Sequence, residues 1–184
     1  MGVDPVKRAV FFDRDGVLNE ARLRNGNPHP PSSVRELVIA APAREAVDRV
    51  RGAGFYAIAV TNQPDVARGT ATTECVEEIN AAVASTLALD GVYTCFHDDA
   101  DRCECRKPKP GLLQIAARER GISLPESYVV GDRVKDVECG RAAGCTTVFI
   151  DFGYAETPSH VEADVIVRSL SEAVDAILTR EYRP

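Results

Sequence analysis

Four short stretches carry residues able to do phosphate or metal chemistry. They are Asp13 and Asp15 in Asp13-Arg14-Asp15-Gly16, Thr61 in Thr61-Asn62-Gln63, Lys107 in Arg106-Lys107-Pro108, and Asp132 with Asp136 four residues on. A cluster of aspartates alone suits Mg²⁺, which prefers hard oxygen ligands and keeps several waters. A threonine hydroxyl and nearby backbone N–H groups bind phosphate oxygens, and a lysine neutralises charge that builds in a transition state. Each stretch also has an ordinary reading. Asp-Gly marks a turn with solvated acids, Lys107 lies in a proline-rich turn, and Asp136 at a helix start would complement the dipole. None of these accounts for the four together.

A second set is rich in sulfur. Cys95 and His97, then Cys103 and Cys105, are two pairs with one residue between partners, all within eleven positions. In extended chain, residues i and i+2 point to the same side, so the pairs could close a tetrahedral Cys₃His site. The spacing is tighter than in zinc fingers; it favours zinc over free thiols or a disulfide and leaves those alternatives open. Cys75, Cys139 and Cys145 fall within or beside predicted helices and read as buried thiols, and His29 and His160 as loop residues.

The elements that must position these residues follow from apolar patterning. Ala9-Val10-Phe11-Phe12 is a continuous apolar run, as expected of a central parallel strand covered on both faces, and it delivers Asp13 to the strand's carboxyl end. Residues 55–60, 92–97, 128–130, 146–150 and 164–167 read as further strands. Helices are expected from Pro42 to Gly52, from Thr72 or Thr73 to a close at Gly91, from about 112 to Gly121, over 134–143 and over 169–180. Residues 20–33, with Gly26, Pro28, Pro30 and Pro31, show neither helical nor strand periodicity and read as a loop over the strand ends. Alternating strands and helices predict an α/β, Rossmann-like three-layer sandwich with a mainly parallel sheet. The residues of chemical interest then end successive strands, where open sheets bind ligands.

At 184 residues the chain is long enough for one core and short for two, so a single domain is expected. The composition is 45% hydrophobic and 27% charged with net charge −6, which argues against a nucleic-acid partner, since such a protein needs a basic stripe. No stretch approaches the roughly 20 apolar residues of a membrane span, and the first five residues lack the apolar run of a signal peptide. A cytoplasmic monomer acting on a small molecule is the expectation.

Together, Asp13-Arg14-Asp15-Gly16-Val17-Leu18-Asn19, Thr61-Asn62-Gln63, Arg106-Lys107-Pro108 and Gly131-Asp132-Arg133-Val134-Lys135-Asp136 resemble the four motifs of the haloacid dehalogenase (HAD) superfamily of phosphohydrolases. Cys95-Phe96-His97 and Cys103-Glu104-Cys105 resemble its zinc-bearing branch, which includes the heptose 1,7-bisphosphate 7-phosphatases and the histidinol-phosphate phosphatases. The resemblance implies that Asp13 is a nucleophile forming an aspartyl phosphate and that Asp15 is the general acid and base. It implies that Asp13, Asp15 (through its carbonyl) and Asp132 hold Mg²⁺ with support from Asp136, while Thr61 and Lys107 hold the phosphoryl group. It implies structural zinc on Cys95, His97, Cys103 and Cys105. Asn62, Gln63, Arg106 and Arg133, with Arg22 and Arg24 from the 20–33 loop, are the expected substrate contacts.

Two departures stand out. Pro64-Asp65 replaces the Ser-Gly usual in the heptose enzymes, removing a backbone donor and adding a negative charge, and Arg133 stands where lysine is common. No residues are left over for a cap domain, so the 20–33 and zinc loops alone should roof the site. The implied function is Mg²⁺-dependent hydrolysis of a sugar phosphate, with histidinol phosphate the alternative substrate. A polynucleotide phosphatase fits the acidic balance less well. An alternative of another class is a silent phosphate-sensing scaffold, against which the intact Asp13/Asp15 pair speaks.

Overall fold

The computed structural model describes residues 6–24, 27–154, 157–158 and 160–181, with the side chains of 23–28 outside the description. Strand β1 (Ala9–Phe12) lies at the centre of a six-stranded sheet. β4 (Tyr56–Asn62) and β5 (Gly91–Cys95) lie to one side of it. β6 (Tyr128–Gly131), β7 (Thr146–Ile150) and β8 (Val165–Val167) lie to the other, and every pairing is parallel.

Alternation along β1 explains its unbroken apolar run. Val10 and Phe12 face a core built with α1 (Ala43–Gly52), α2 (Thr73–Leu87) and α5 (Leu170–Glu181). Ala9 and Phe11 face a second core built with α3 (Gly111–Arg120) and α4 (Val134–Ala143). All four residues are fully buried, so neither face of the strand tolerates a polar side chain. This is the expected three-layer sandwich. No helix among the described residues is long and apolar enough to cross a membrane.

The chain leaves β1 towards β4 and β5, then crosses back over β1 to β6, which makes the carboxyl ends of β1, β4 and β6 the topological switch point. Register holds those ends level. Phe12 is paired with Ala59 on one side and Val130 on the other. The Asp13 N–H continues the ladder by donating to the Val130 carbonyl at 2.9 Å.

Two expectations need correction. The 20–33 segment contains an antiparallel hairpin of β2 (Arg22–Arg24) and β3 (Asn27–His29), in place of a structureless loop. Asn25-Gly26 is a strong hairpin signal in the sequence, masked by the surrounding prolines and by arms with no apolar alternation. Helix α2 ends at Leu87, where Ala88 takes the left-handed conformation at φ 54°, well short of Gly91. Gly91 instead opens β5 opposite Ile58, where an added Cβ would lie 2.8 Å from the Arg120 Nη2.

Candidate active site

At the switch point Asp13, Asp132 and Asp136 each present a carboxylate oxygen within 4.8 Å of the others, and all three are buried. Lys107 arrives from the loop before α3. Its Nζ donates to Asp13 Oδ1 at 2.8 Å, to Asp136 Oδ1 at 2.6 Å and to the Val60 carbonyl at 3.0 Å. Burial works against a charged lysine here, but Asp13 and Asp136 outweigh it and raise its pKa.

The carboxylates feel the opposite balance. Burial pushes Asp13 up to about 6, resisted by Lys107 and helped by Asp136. Burial, then repulsion from Asp13 and Asp136, pushes Asp132 up to about 8. Both oxygens of Asp136 are committed, Oδ1 to Lys107 and Oδ2 to the Arg133 N–H at 3.0 Å. Both oxygens of Asp132 are buried and meet no hydrogen-bond donor in full bonding geometry, although the Tyr154 hydroxyl lies close enough to act on this carboxylate. A buried carboxylate costs free energy unless something positive meets it. This oxygen-only donor set fits a hard divalent cation.

Gly16 makes the close approach possible. It sits at φ +96°, and a Cβ there would fall 2.3 Å from Asp132 Oδ2. Beyond it, Asp15 is held on several sides. It accepts from Arg14 Nε and Nη2, from Asn19 Nδ2 at 3.0 Å and from Gln63 Nε2 at 2.7 Å.

A cavity of about 550 Å³ opens on this cluster. Asp13, Asp15, Thr61, Lys107, Asp132 and Asp136 line it, joined by Arg68, Arg106, Arg133 and Lys135. The other expected contacts are placed differently. Gln63 is buried away from the cavity and bridges Asp15 to the Thr61 hydroxyl, 2.8 Å away. Asn62 lines the cavity, yet its amide is engaged with the Lys107 backbone through two reciprocal bonds of 3.0 Å. Arg22 pairs with Glu36 at 2.7 Å and does not line the cavity. The Arg24 side chain lies outside the described residues. His29, expected in a loop, ends β3 and lines the cavity with Pro30.

The second cluster sits beside the first. Its Sγ to Sγ separations are 3.2 Å (Cys95–Cys105), 3.5 Å (Cys103–Cys105) and 3.7 Å (Cys95–Cys103). His97 Nδ1 lies 3.3 Å from Cys105 Sγ and 3.6 Å from Cys95 Sγ. A tetrahedral ion at about 2.3 Å from sulfur sets edges of about 3.5–3.8 Å, whereas a disulfide is about 2.05 Å long. The four ligands fit such an ion, and all six cysteines are free. Burial pushes the Cys95 thiol up to about 12, so a cation is needed there to hold a thiolate. Of the three remaining cysteines Cys139 and Cys145 are buried as expected. Cys75 is half-buried at the margin of the first core, with its Sγ 3.2 Å from the Ser32 carbonyl.

From the Cys/His loop, Arg106 reaches back to Asp99 at 2.7 Å and to the His97 carbonyl at 3.3 Å. Arg68 clamps Asp98 through two bonds of 2.8 Å, tying the turn after β4 to the same loop. Sequence reasoning missed Arg14, Asn19, Asn80 and Arg68. Arg14 reaches Asn80 and Arg68 reaches Asp98, 66 and 30 positions away, while Asn19 and Arg14 also hold Asp15 within their own motif, where local sequence does not say which way a side chain turns.

This fold and site define a HAD-like hydrolase, and comparison with known proteins agrees. Residues 104–173 match the family model described as HAD-hydrolase-like. A D-glycero-beta-D-manno-heptose-1,7-bisphosphate 7-phosphatase of Haemophilus ducreyi is 31% identical, over 91% of this chain and 97% of its own length. A protein of the same name from Yersinia pestis is 33% identical, over 94% and 96%. The crystal structure of D,D-heptose 1,7-bisphosphate phosphatase from B. bronchiseptica, complexed with magnesium and phosphate, superposes with a TM-score of 0.81 at 25% identity, covering 95% of this chain and 99% of that one. The chain belongs to the HAD-like hydrolase family, and it is a phosphatase. Phosphatases of this family use a divalent metal.

Proposed function

We propose that the protein is a Mg²⁺-dependent phosphomonoesterase acting on a heptose 1,7-bisphosphate or a closely related sugar phosphate, as a single domain without a cap. The convergence of Asp13, Lys107 and the buried Asp132 on one cavity carries this reading. Asp13 and Asp132, with the Asp15 carbonyl, would hold Mg²⁺. When bound, the ion offsets the charge of the carboxylates and of the phosphoryl oxygens.

Asp13 attacks phosphorus, forming an acyl phosphate as the ester P–O bond breaks, and the leaving oxygen takes a proton from Asp15. Water then attacks the same phosphorus, giving its proton to Asp15. Phosphate leaves and the Asp13 carboxylate is restored. Lys107, fixed by Asp136 and Val60, faces the equatorial oxygens together with the Thr61 hydroxyl. Asp136 supports by holding Lys107 and the start of α4.

Zinc on Cys95, His97, Cys103 and Cys105 is structural in this reading, since four protein ligands leave no position for water. Cys105, held by such an ion, would in turn hold the adjoining backbone of Arg106 and Lys107. Arg106, Arg133 and Lys135 offer charge to a second phosphate. One observation favours a second reading: Asp65 also lines the cavity, and a carboxylate there suits a cationic tail such as that of histidinol phosphate. The test is kcat/KM for the two substrates. A preference of about tenfold or more for the bisphosphate, shrinking in Arg106→Ala, is expected from the loss of a charge-assisted contact. Equal use of both by the wild type would overturn the assignment.

A further inference from the structure

Arg14 lies between the two aspartates of the first motif, where a side chain is easily taken for a solvated one. In the fold its side chain is 0% exposed. A guanidinium buried to that degree needs a counter-charge and hydrogen-bond acceptors. Its counter-charge is Asp15. Arg14 Nε donates to Asp15 Oδ1 at 3.2 Å, and Nη2 lies 3.0 Å from Oδ1 and 2.9 Å from Oδ2. On its other side Nη1 donates to Asn80 Oδ1 at 2.6 Å.

Asn80 belongs to α2 and is not part of the cavity lining, yet it is itself buried. Arginine has donors only, so the Asn80 oxygen must face it and the amide NH₂ must point away. That NH₂ donates to Thr94 Oγ1 at 3.0 Å. Thr94 is opposite Thr61 in the sheet and immediately precedes Cys95. The orientation of the guanidinium is thus fixed from α2 and β5, and the guanidinium in turn fixes the plane of the Asp15 carboxylate.

We propose that Asn80 is a positioning residue for Asp15, acting through Arg14. The inference rests on the proposed role of Asp15 as the proton donor to the leaving group. A misaimed acid slows only those reactions that need its proton. An alkyl or sugar phosphate expels a poor leaving group and needs protonation, whereas p-nitrophenyl phosphate expels a stable phenolate and needs it little. The parameter kcat/KM reports the first chemical step for both.

The experiment measures kcat/KM of the metal-loaded protein with a sugar phosphate and with p-nitrophenyl phosphate, alongside thermal melting. Asn80→Leu, which removes the acceptor, should lose about tenfold or more with the sugar phosphate and less than about threefold with the aryl ester, since small misplacements of a catalytic group cost on that scale. Asn80→Asp keeps an acceptor for Nη1 and should stay within about threefold of wild type on both. Equal losses of Asn80→Leu on the two substrates, or no loss on either, would overturn the proposal. If Asn80→Leu does not fold, Thr94→Val should show the same selectivity in smaller measure, and its absence there would overturn the proposal equally. Asp15→Asn separates the two levels of inference. If that variant shows no leaving-group selectivity, the reading of Asp15 itself fails; if it does and the Asn80 variants do not, the positioning role alone fails.

Discussion

The aspartate cluster and the Cys/His cluster lie next to one another and are built in opposite ways. Asp13, Asp132 and Asp136 come from two strand ends and the first turn of a helix, with more than a hundred residues between Asp13 and the other two, and are all buried. The four sulfur and imidazole ligands come from eleven consecutive positions, with only Cys95 fully buried. In the first cluster like charges are forced together, and burial with that repulsion raises the pKa of two of the carboxylates. In the second, three sulfurs and an imidazole nitrogen already gather within 4.8 Å of one another, ready to surround one ion. A site that does chemistry holds unbalanced charge in readiness, and a site that holds a loop is closed on itself.

If that contrast is right, the two clusters fail differently when damaged. The largest effect is expected from Asp13→Asn, which removes the proposed nucleophile: turnover should fall to the assay background while the protein still folds. Wild-type rates in that variant would break the comparison outright. Asp15→Asn should lower kcat by about 10² to 10⁴-fold with substrate binding largely kept, the usual range for loss of a general acid and base.

Damage to the second cluster should be milder and of another kind. Cys105→Ser should yield protein with less bound zinc, a higher KM and a kcat lowered by up to about 10²-fold through displacement of Lys107, with Mg²⁺ still required. Metal analysis beside kinetics decides this. Wild type purified without zinc, or a zinc-free variant of full activity, would remove the structural role.

The smallest effect sharpens the electrostatic side. Asp13 and Asp132 have folded-state pKa values of about 6 and 8, above the ordinary carboxylate value of 3.8. Between about pH 4 and 8 the folded metal-free protein therefore keeps protons that the unfolded chain has released, and its stability falls as pH rises. Its Tm should be lower at pH 8 than at pH 5, each kcal/mol counting for about 2–4 °C in a chain of this size. Saturating Mg²⁺ should flatten that slope. A Tm independent of pH after chelation would show that the carboxylates are not strained by one another.

The amino-acid sequence by itself determined the class of fold, because buried parallel strands must be continuously apolar and their helices amphipathic, and both patterns are local. It marked Cys95, His97, Cys103 and Cys105 as two closely spaced pairs, which the fold brings into one cluster able to hold a metal ion. It also marked Asp13, Lys107 and Asp132, each set at the end of an apolar run or beside a proline turn. Three things only the tertiary structure decided. Gln63 and Asn62, expected at the substrate, are spent on Asp15, Thr61 and the Lys107 backbone. The 20–33 segment pairs with itself, which weak alternation concealed. Arg14, one residue from Asp13, turns inward to Asn80 on α2, a contact across 66 positions. The reason is common to all three. A polar side chain in a motif names its chemistry through its type, but its partner is whichever group the packing of sheet and helices leaves within about 3 Å, and that distance is not written in local sequence.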